Sequence, residues 1–292
     1  PWMFLAFCFE WRKAAVGRIS HLPVSLDGSN NGLQHLSAIN LDMKGGESTN
    51  LVPCEIPRDI YQDVADEVNQ VLESRKSHDA MAREWLEFGV TRKCTKRPVM
   101  VVPYGGKIYS TRQYIEDYIT DRIEEGTLSP WGHDLFEPSH YLADIVWACI
   151  SKVITAARTV MDWLQEISSI VSAENLPVIW ETPTGFLVHQ MYPETRSRRI
   201  TTHIDNSLIK PQVREQNYMK SDRRRAVNGA SPNFIHSLDS AAMTFTINNC
   251  VDVGITDFAM VHDSYGVHAS LVPKLYEQTR ASFVRMYEQN DV

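Results

Sequence analysis

Thr91-Arg92-Lys93-Cys94-Thr95-Lys96-Arg97-Pro98-Val99-Met100-Val101-Val102-Pro103-Tyr104-Gly105 is the stretch around which the chain is arranged. Arg92 and Lys96 stand four apart, so on a helix they share a face, and Met100 extends that row by one turn. Thr91 suits the N-cap, and Gly105 just past Tyr104 is a stop signal. Pro98 and Pro103 lack an amide donor, so a kinked helix is expected. Alone, such a cation pair reads as a solvated basic face. Its company points further: Leu26-Asp27-Gly28 and His262-Asp263-Ser264 each follow or sit within a short apolar run. Two carboxylates on strand ends, facing a cationic helix, form the set required for metal-assisted phosphoryl transfer.

Working outward, 292 residues suffice for one large domain or two modest ones with a real core. Hydrophobic content of 43% with 22% charge is that of a globular chain. Five cysteines, odd in number and without a CxxC pair, exclude a disulfide framework or a structural zinc and suit a reducing, cytoplasmic setting. The apolar opening, Trp2 to Phe9, is too short to span a bilayer, so no membrane partner is expected, and no signal peptide is visible. The net charge of −7 argues against a nucleic-acid partner, but the basic residues are clustered at 92–97, at Arg196, Arg198 and Arg199, and at 220–225. An uneven surface of this kind still binds phosphate in one groove.

In chain order, residues 1–11 suit a buried strand or helix start. Residues 22–26 form a strand leading to Asp27, and a helix follows with Ser29 as its cap. Gly45-Gly46 reads as a break. Residues 57–74 and 79–88 give amphipathic helices, the first with Ile60, Val64, Val68 and Val71 on its stripe. Residues 108–123 are helical and 124–138 a loop. Residues 141–171 form the longest helical pattern, with Trp147 and Trp163 as core. Residues 178–191 read as a β-hairpin, and 195–216 as a loop or ribbon. A basic helix or turn spans 222–229, and a second helix begins at Ala230 with His236 in its first turns. Strand, tight turn and strand span 258–269, and a helix over 273–287 follows.

Together these residues resemble the single-subunit DNA-directed RNA polymerases of bacteriophages and mitochondria, the phage enzymes above all. The likeness rests on Asp27-Gly28-Ser29-Asn30-Asn31-Gly32-Leu33-Gln34-His35; on Arg92, Lys96, Met100, Tyr104 and Gly105; on the segment from Pro232 to Asp239; and on His262-Asp263-Ser264. Phe4 to Glu10 extends it over nearly the whole chain. The resemblance implies an α+β, mostly helical fold. It would be a right-hand polymerase, with a small antiparallel palm sheet from residues 1–43 and 237–292 and helical fingers from 44–236. Residues 195–216 fall where phage enzymes carry a promoter-specificity loop.

The resemblance also implies roles. Asp27, Asp263 and the Gly28 carbonyl would hold two Mg²⁺ ions. Arg92 and Lys96 would bind the ribonucleoside triphosphate, with Lys96 protonating the departing pyrophosphate. Tyr104 and His236 would contact the ribose, and Gly105 would let the template backbone pass. Arg196, Arg198 and Arg199 would lie near promoter DNA. The partners implied are double-stranded DNA promoter and template, nascent RNA and ribonucleoside triphosphates. The family's N-terminal domain and thumb have no counterpart here, which leads us to expect the core of a longer polymerase or one part of a split enzyme. Two other readings compete: a family A-type DNA polymerase, and a non-catalytic nucleic-acid-binding remnant. Met100 and Ser264 argue against the first, because that class carries an aromatic and an acidic residue there. The intact Asp27, Lys96 and Asp263 argue against the second.

Overall fold

A computed structural model describes residues 2–289. The chain opens with α1 (Trp2–Ala15), β1 (Val24–Asp27), α2 (Asn31–Ile39) and α3 (Met43–Ser48). A helical block follows: α4 (Ile60–Arg75), α5 (Ala80–Phe88), α6 (Arg92–Val101), α7 (Ile108–Glu124), α8 (Phe136–Val153) and α9 (Thr155–Ala173). Next come β2 (Val178–Glu181), β3 (Leu187–Gln190), β4 (Pro193–Arg199), β5 (Thr202–Ile204), β6 (Ser207–Ile209) and β7 (Gln212–Ser221). Then α10 (Arg223–Asp252), β8 (Ala259–Val261), β9 (Ser264–Val267) and α11 (Val272–Glu288) complete the described chain.

Helical spacing builds the main core. Ile60, Val64, Val68 and Leu72 recur along one face of α4 and are buried with Trp85 and Phe88 of α5. Cys94 and Val99 of α6, Ile115 and Ile119 of α7, and Leu142, Val146 and Ile150 of α8 join the same cluster. Carboxylate caps start two of these helices. Asp59 accepts from the Tyr61 amide at 3.0 Å and Asp79 from Ala82 at 3.3 Å, each stabilising its helix by about 0.5–2 kcal/mol. Thr95 Oγ1 donates to the Tyr61 carbonyl at 2.6 Å, which docks α6 on the first turn of α4.

A three-stranded antiparallel sheet, in the order β1-β9-β8, lies apart from that core. Tyr265 and Val267 of β9 pack with Leu275 of α11 and with Cys250 and Ile255 at the end of α10. Leu238 and Ala241 of α10 meet Met286 of α11 in a third cluster. The mostly helical α+β class expected from the sequence is thus observed. β4 and β7 pair as a long antiparallel ribbon, bulged at Pro193/Glu194 and extended by the small β5–β6 pair.

Several local expectations are corrected. α1 is a helix with no buried residue, not a buried segment; Trp2 is 80% and Trp11 67% exposed. Asn30, not Ser29, caps α2: its left-handed backbone (φ 65°) lets its side chain accept from the Leu33 amide. Gly45-Gly46 lies inside α3, buried where side chains would not fit, and does not interrupt the chain. α6 ends at Val101, a turn earlier than expected, and tight turns run through Gly105 and Gly106. Thr91 has the extended backbone of an N-cap, but its hydroxyl bonds Tyr118 Oη at 3.2 Å.

The long pattern over 141–171 is two helices broken at Ile154, within a run of three β-branched residues that weaken helix. Trp163 is 57% exposed and not core, because α9 packs against α10 through smaller residues such as Ala157 and Ser168. The basic turn at 222–229 and the helix expected from Ala230 are one 30-residue helix, capped by Asp222 through the Arg225 amide at 3.0 Å. Of the ranges named above, Pro1 and residues 290–292 lie outside the described residues.

Candidate active site

Asp27 is the last residue of β1, and its register partner across the antiparallel pair is Ser264, the first residue of β9. Asp263 occupies the two-residue turn between β8 and β9, where His262 takes a left-handed backbone (φ 52°). Both carboxylates therefore emerge at the same end of the sheet. Asp27 Oδ1 accepts from the Gly28 amide at 3.1 Å. Burial pushes the Asp263 carboxyl above its usual range, and the Asp27 and Asp239 carboxylates push the same way. A groove of about 1420 Å³, bounded by α2, α3 and α11, opens beside Asp27, Gly28 and Asp263.

The first turn of α6 supplies the cations. Arg92 Nε pairs with the Asp59 carboxylate, and its guanidinium lies 5.1 Å over the Tyr61 ring. Burial raises the Tyr61 phenol; Arg92 opposes this, while Asp59 and Asp263 add to it. Tyr61 thus feels both the α6 cation and the turn carboxylate. Lys96 follows one turn later on the same helix, exposed and without an ion pair among the described residues.

Tyr104 leaves the end of α6 and lies against the start of α2. A Cβ added at Gly32 would meet Pro103 Cβ at 2.8 Å and Tyr104 Oη at 3.2 Å, so only glycine permits this approach. Burial raises the Tyr104 phenol far above its normal value, reinforced by Asp239 and Asp263, so the hydroxyl stays a neutral donor. The His236 ring stacks on Tyr104, with centroids 4.9 Å apart and 21° between planes. α10 also secures the backbone here, Ser231 Oγ donating to the Pro103 carbonyl at 2.8 Å. Gly105 has φ +80°, and a Cβ there would stand 3.5 Å from the Asn228 carbonyl oxygen.

Arg196, Arg198 and Arg199 are exposed on β4 of the ribbon, Arg196 and Arg198 on one face and Arg199 on the other; Arg196 reaches Glu194 at 3.7 Å. Sequence reasoning missed Tyr61, which sits between Arg92 and Asp263. It also missed Asp239, whose signal was present in its i, i+3 spacing from His236 on a helix. The buried side chain of Asn30, close in the chain to Asp27 and within reach of the Tyr61 hydroxyl, went unremarked as well.

Among the described residues, no group of three or more His, Cys, Asp or Glu side chains converges as a metal cluster. Two carboxylates and a backbone carbonyl nevertheless suit Mg²⁺, which keeps several waters and draws remaining ligands from substrate oxygens. Burial is the main cause that raises Asp263, and the lesser repulsion from Asp27 and Asp239 is what a cation would relieve. No helix among the described residues is long and apolar enough to cross a membrane.

A sheet end bearing two carboxylates, beside a basic helix with an aromatic at its exit, has relatives of known name. Residues 1–292 match the family model described as DNA-dependent RNA polymerase. The mitochondrial DNA-directed RNA polymerase of Mus musculus is 35% identical over 99% of this chain and 24% of its own length. T7 RNA polymerase of Escherichia phage T7 is 31% identical over 100% of this chain and 38% of its own length. DNA-directed RNA polymerase 2A of Nicotiana tabacum is 34% identical over 99% of this chain and 87% of its own length. The chain belongs to the DNA-dependent RNA polymerase family of phage and organelle type, and it spans less than two fifths of the mouse and T7 proteins.

Proposed function

We propose that this chain is the catalytic core of a DNA-directed RNA polymerase, adding ribonucleotides to an RNA 3′ end under direction of a DNA template and releasing pyrophosphate. The observation that carries this is the pairing of Asp27 with the neighbour of Asp263 at one sheet end, alongside the Arg92–Lys96 helix. Residues 1–43 and 237–292 serve as palm and 44–236 as fingers. The relatives extend well beyond this span, and further segments or a second subunit complete the enzyme. It works where its DNA is, in the cytoplasm of a host cell.

Asp27, Asp263 and the Gly28 carbonyl hold two Mg²⁺ ions. When bound, such ions activate a 3′-hydroxyl as nucleophile and neutralise charge on the leaving group. Arg92 anchors the triphosphate, held in place by Asp59 and Tyr61. Lys96, exposed and outside the ion pairs of the described residues, gives its proton to the departing pyrophosphate. Tyr104, a neutral donor, and His236, stacked on it, close around the ribose, whose 2′-hydroxyl both donates and accepts. Gly105 admits the template backbone at the exit of α6. Arg196, Arg198 and Arg199 of the ribbon lie near promoter DNA.

The test is extension of an RNA primer on a DNA template with Mg²⁺, comparing ribo- and deoxyribonucleoside triphosphates. Ribonucleotide addition is expected. Preference for deoxyribonucleotides would mean a DNA polymerase, and binding without addition once the completing segments or subunit are supplied would mean a remnant.

A further inference from the structure

Asp239 is 7% exposed and lies at the junction of α2, α10 and α11. Its Oδ1 accepts from Asn31 Nδ2 at 2.5 Å. His35 Nε2 lies 3.0 Å from the same oxygen, off the ideal hydrogen-bond direction, and His35 Nδ1 meets Tyr287 Oη at 2.5 Å. With Oδ1 held by α2, Oδ2 is turned along α10 toward His236 Nδ1, 3.8 Å away. That gap is longer than a direct hydrogen bond and within ion-pair range, and such contacts tighten when ligand fixes the ring. Tyr104 stacks on one face of the half-exposed His236 ring, and the His262 ring lies 6.4 Å away.

A carboxylate is costly to bury unless its partners hold it in one orientation. Here the partners come from two places with different tasks. Asn31 and His35 belong to the helix that begins just after Asp27, whereas His236 faces the ring of Tyr104. One oxygen therefore ties to the segment carrying the metal-binding turn, and the other to the ribose pocket.

We propose that Asp239 is a positioning residue for ribose selection: it turns the His236 imidazole so that Nδ1 faces the carboxylate and Nε2 faces the nucleotide sugar. The inference rests on the polymerase reading above. Asp239 touches neither sugar nor phosphate; it also bears on Tyr104 and Asp263 by its charge, but its effect on the choice of sugar runs through His236. A mere brace in the core would alter stability without altering the choice of sugar.

The experiment measures kcat/KM for a ribonucleotide and its 2′-deoxy analogue in the full-length protein and in Asp239→Asn, His236→Ala and the double variant. Melting temperatures are recorded alongside. Asp239→Asn is expected to lower ribose preference about tenfold, the size of one lost charge-assisted hydrogen bond. In the His236→Ala background the same substitution should change preference by less than about twofold, because residues acting as a unit are not additive. Unchanged preference in Asp239→Asn, or effects that multiply in the double variant, would overturn the proposal. If Asp239→Asn does not fold, Asn31→Ala takes its place. It leaves the carboxylate and removes its 2.5 Å anchor, so it should lower preference by about threefold or more; a lower melting temperature with preference intact would equally overturn the proposal. A wild-type protein that adds neither nucleotide refutes the polymerase reading itself, an outcome distinct from the variant results.

Discussion

Asp27 sits directly across the β1–β9 pair from Ser264, which leaves Asp263 one residue from the register partner of Asp27 although 236 positions separate the two in the chain. The sheet exists to make that approach. β8 and β9 are joined by only His262 and Asp263, so the turn has no slack to place the second carboxylate elsewhere.

Replacing either carboxylate by its amide should lower nucleotide addition by about a thousandfold or more while leaving the fold intact, since metal activation supplies several kcal/mol of the barrier. Primer extension and circular dichroism on Asp27→Asn and Asp263→Asn check this; activity within about tenfold of wild type in either would falsify the metal assignment.

The same site predicts an inverted pH effect on stability. The Asp263 pKa is raised above its ordinary value of 3.8 in the folded protein, so the native state binds that proton more tightly than the unfolded chain. Its contribution then opposes folding above the raised pKa and fades as pH falls from there toward 3.8. Metal-free Asp263→Asn should melt at or above the wild-type temperature at neutral pH, with the difference shrinking on acidification. A variant that melts lower throughout contradicts the sign.

Tyr104→Phe should loosen sugar choice more than it slows addition. The phenol is held neutral by burial and is therefore a donor across the working pH range. Losing one hydrogen bond to a buried ligand group costs about 1–3 kcal/mol, or roughly fivefold to 150-fold in discrimination. Competition between ribo- and deoxyribonucleotides measures it, and an unaltered ratio removes Tyr104 from that task.

Arg92 and Lys96 should separate kinetically. Arg92 is built into a cluster with Asp59 and Tyr61, so Arg92→Ala is expected chiefly to raise KM for the triphosphate. Lys96 is exposed and joins no ion pair among the described residues, so Lys96→Ala should leave stability unchanged. It should lower kcat by about a hundredfold to ten-thousandfold, the range for a missing general acid. Steady-state kinetics with a melting control decides. Equal effects of both on KM alone would rule Lys96 out as the proton donor.

Changing Arg196, Arg198 and Arg199 together to alanine should weaken DNA binding without altering addition on a preassembled primer and template. Every phosphate deprived of its arginine reduces the salt slope of log K by about 0.9. Binding titrations at several salt concentrations test this, and an unchanged slope places the DNA elsewhere.

Much of this was legible because it is local. The strand ending at Asp27, the tight turn at His262-Asp263 and the stripe of α4 follow from short-range periodicity and turn chemistry. What escaped depends on approaches between residues distant in the chain. The apolar α1 looks like core, yet no neighbour among the described residues buries it. Gly45 and Gly46 look like a break because a sequence does not reveal Ser37 and Asp42 closing on the first and Val52 on the second. A helix start is expected at Ala230, but Asp222 caps the helix eight residues earlier. In the sequence Asp239 merely ends the Pro232–Asp239 segment, without a role, and only the approach of Asn31 and His35 makes it a junction.

α10 ties these parts mechanically. It is one rod of 30 residues, about 45 Å long, rooted at the base of the ribbon where the Asp222 amide donates to the Tyr192 carbonyl at 2.7 Å. It passes His236 midway and ends beneath the sheet at Cys250. Pro232 offers no amide hydrogen to the preceding turn and is the compliant point along it. The base of the ribbon and His236 are thus carried on one continuous helix, with the weak point at Pro232 between them.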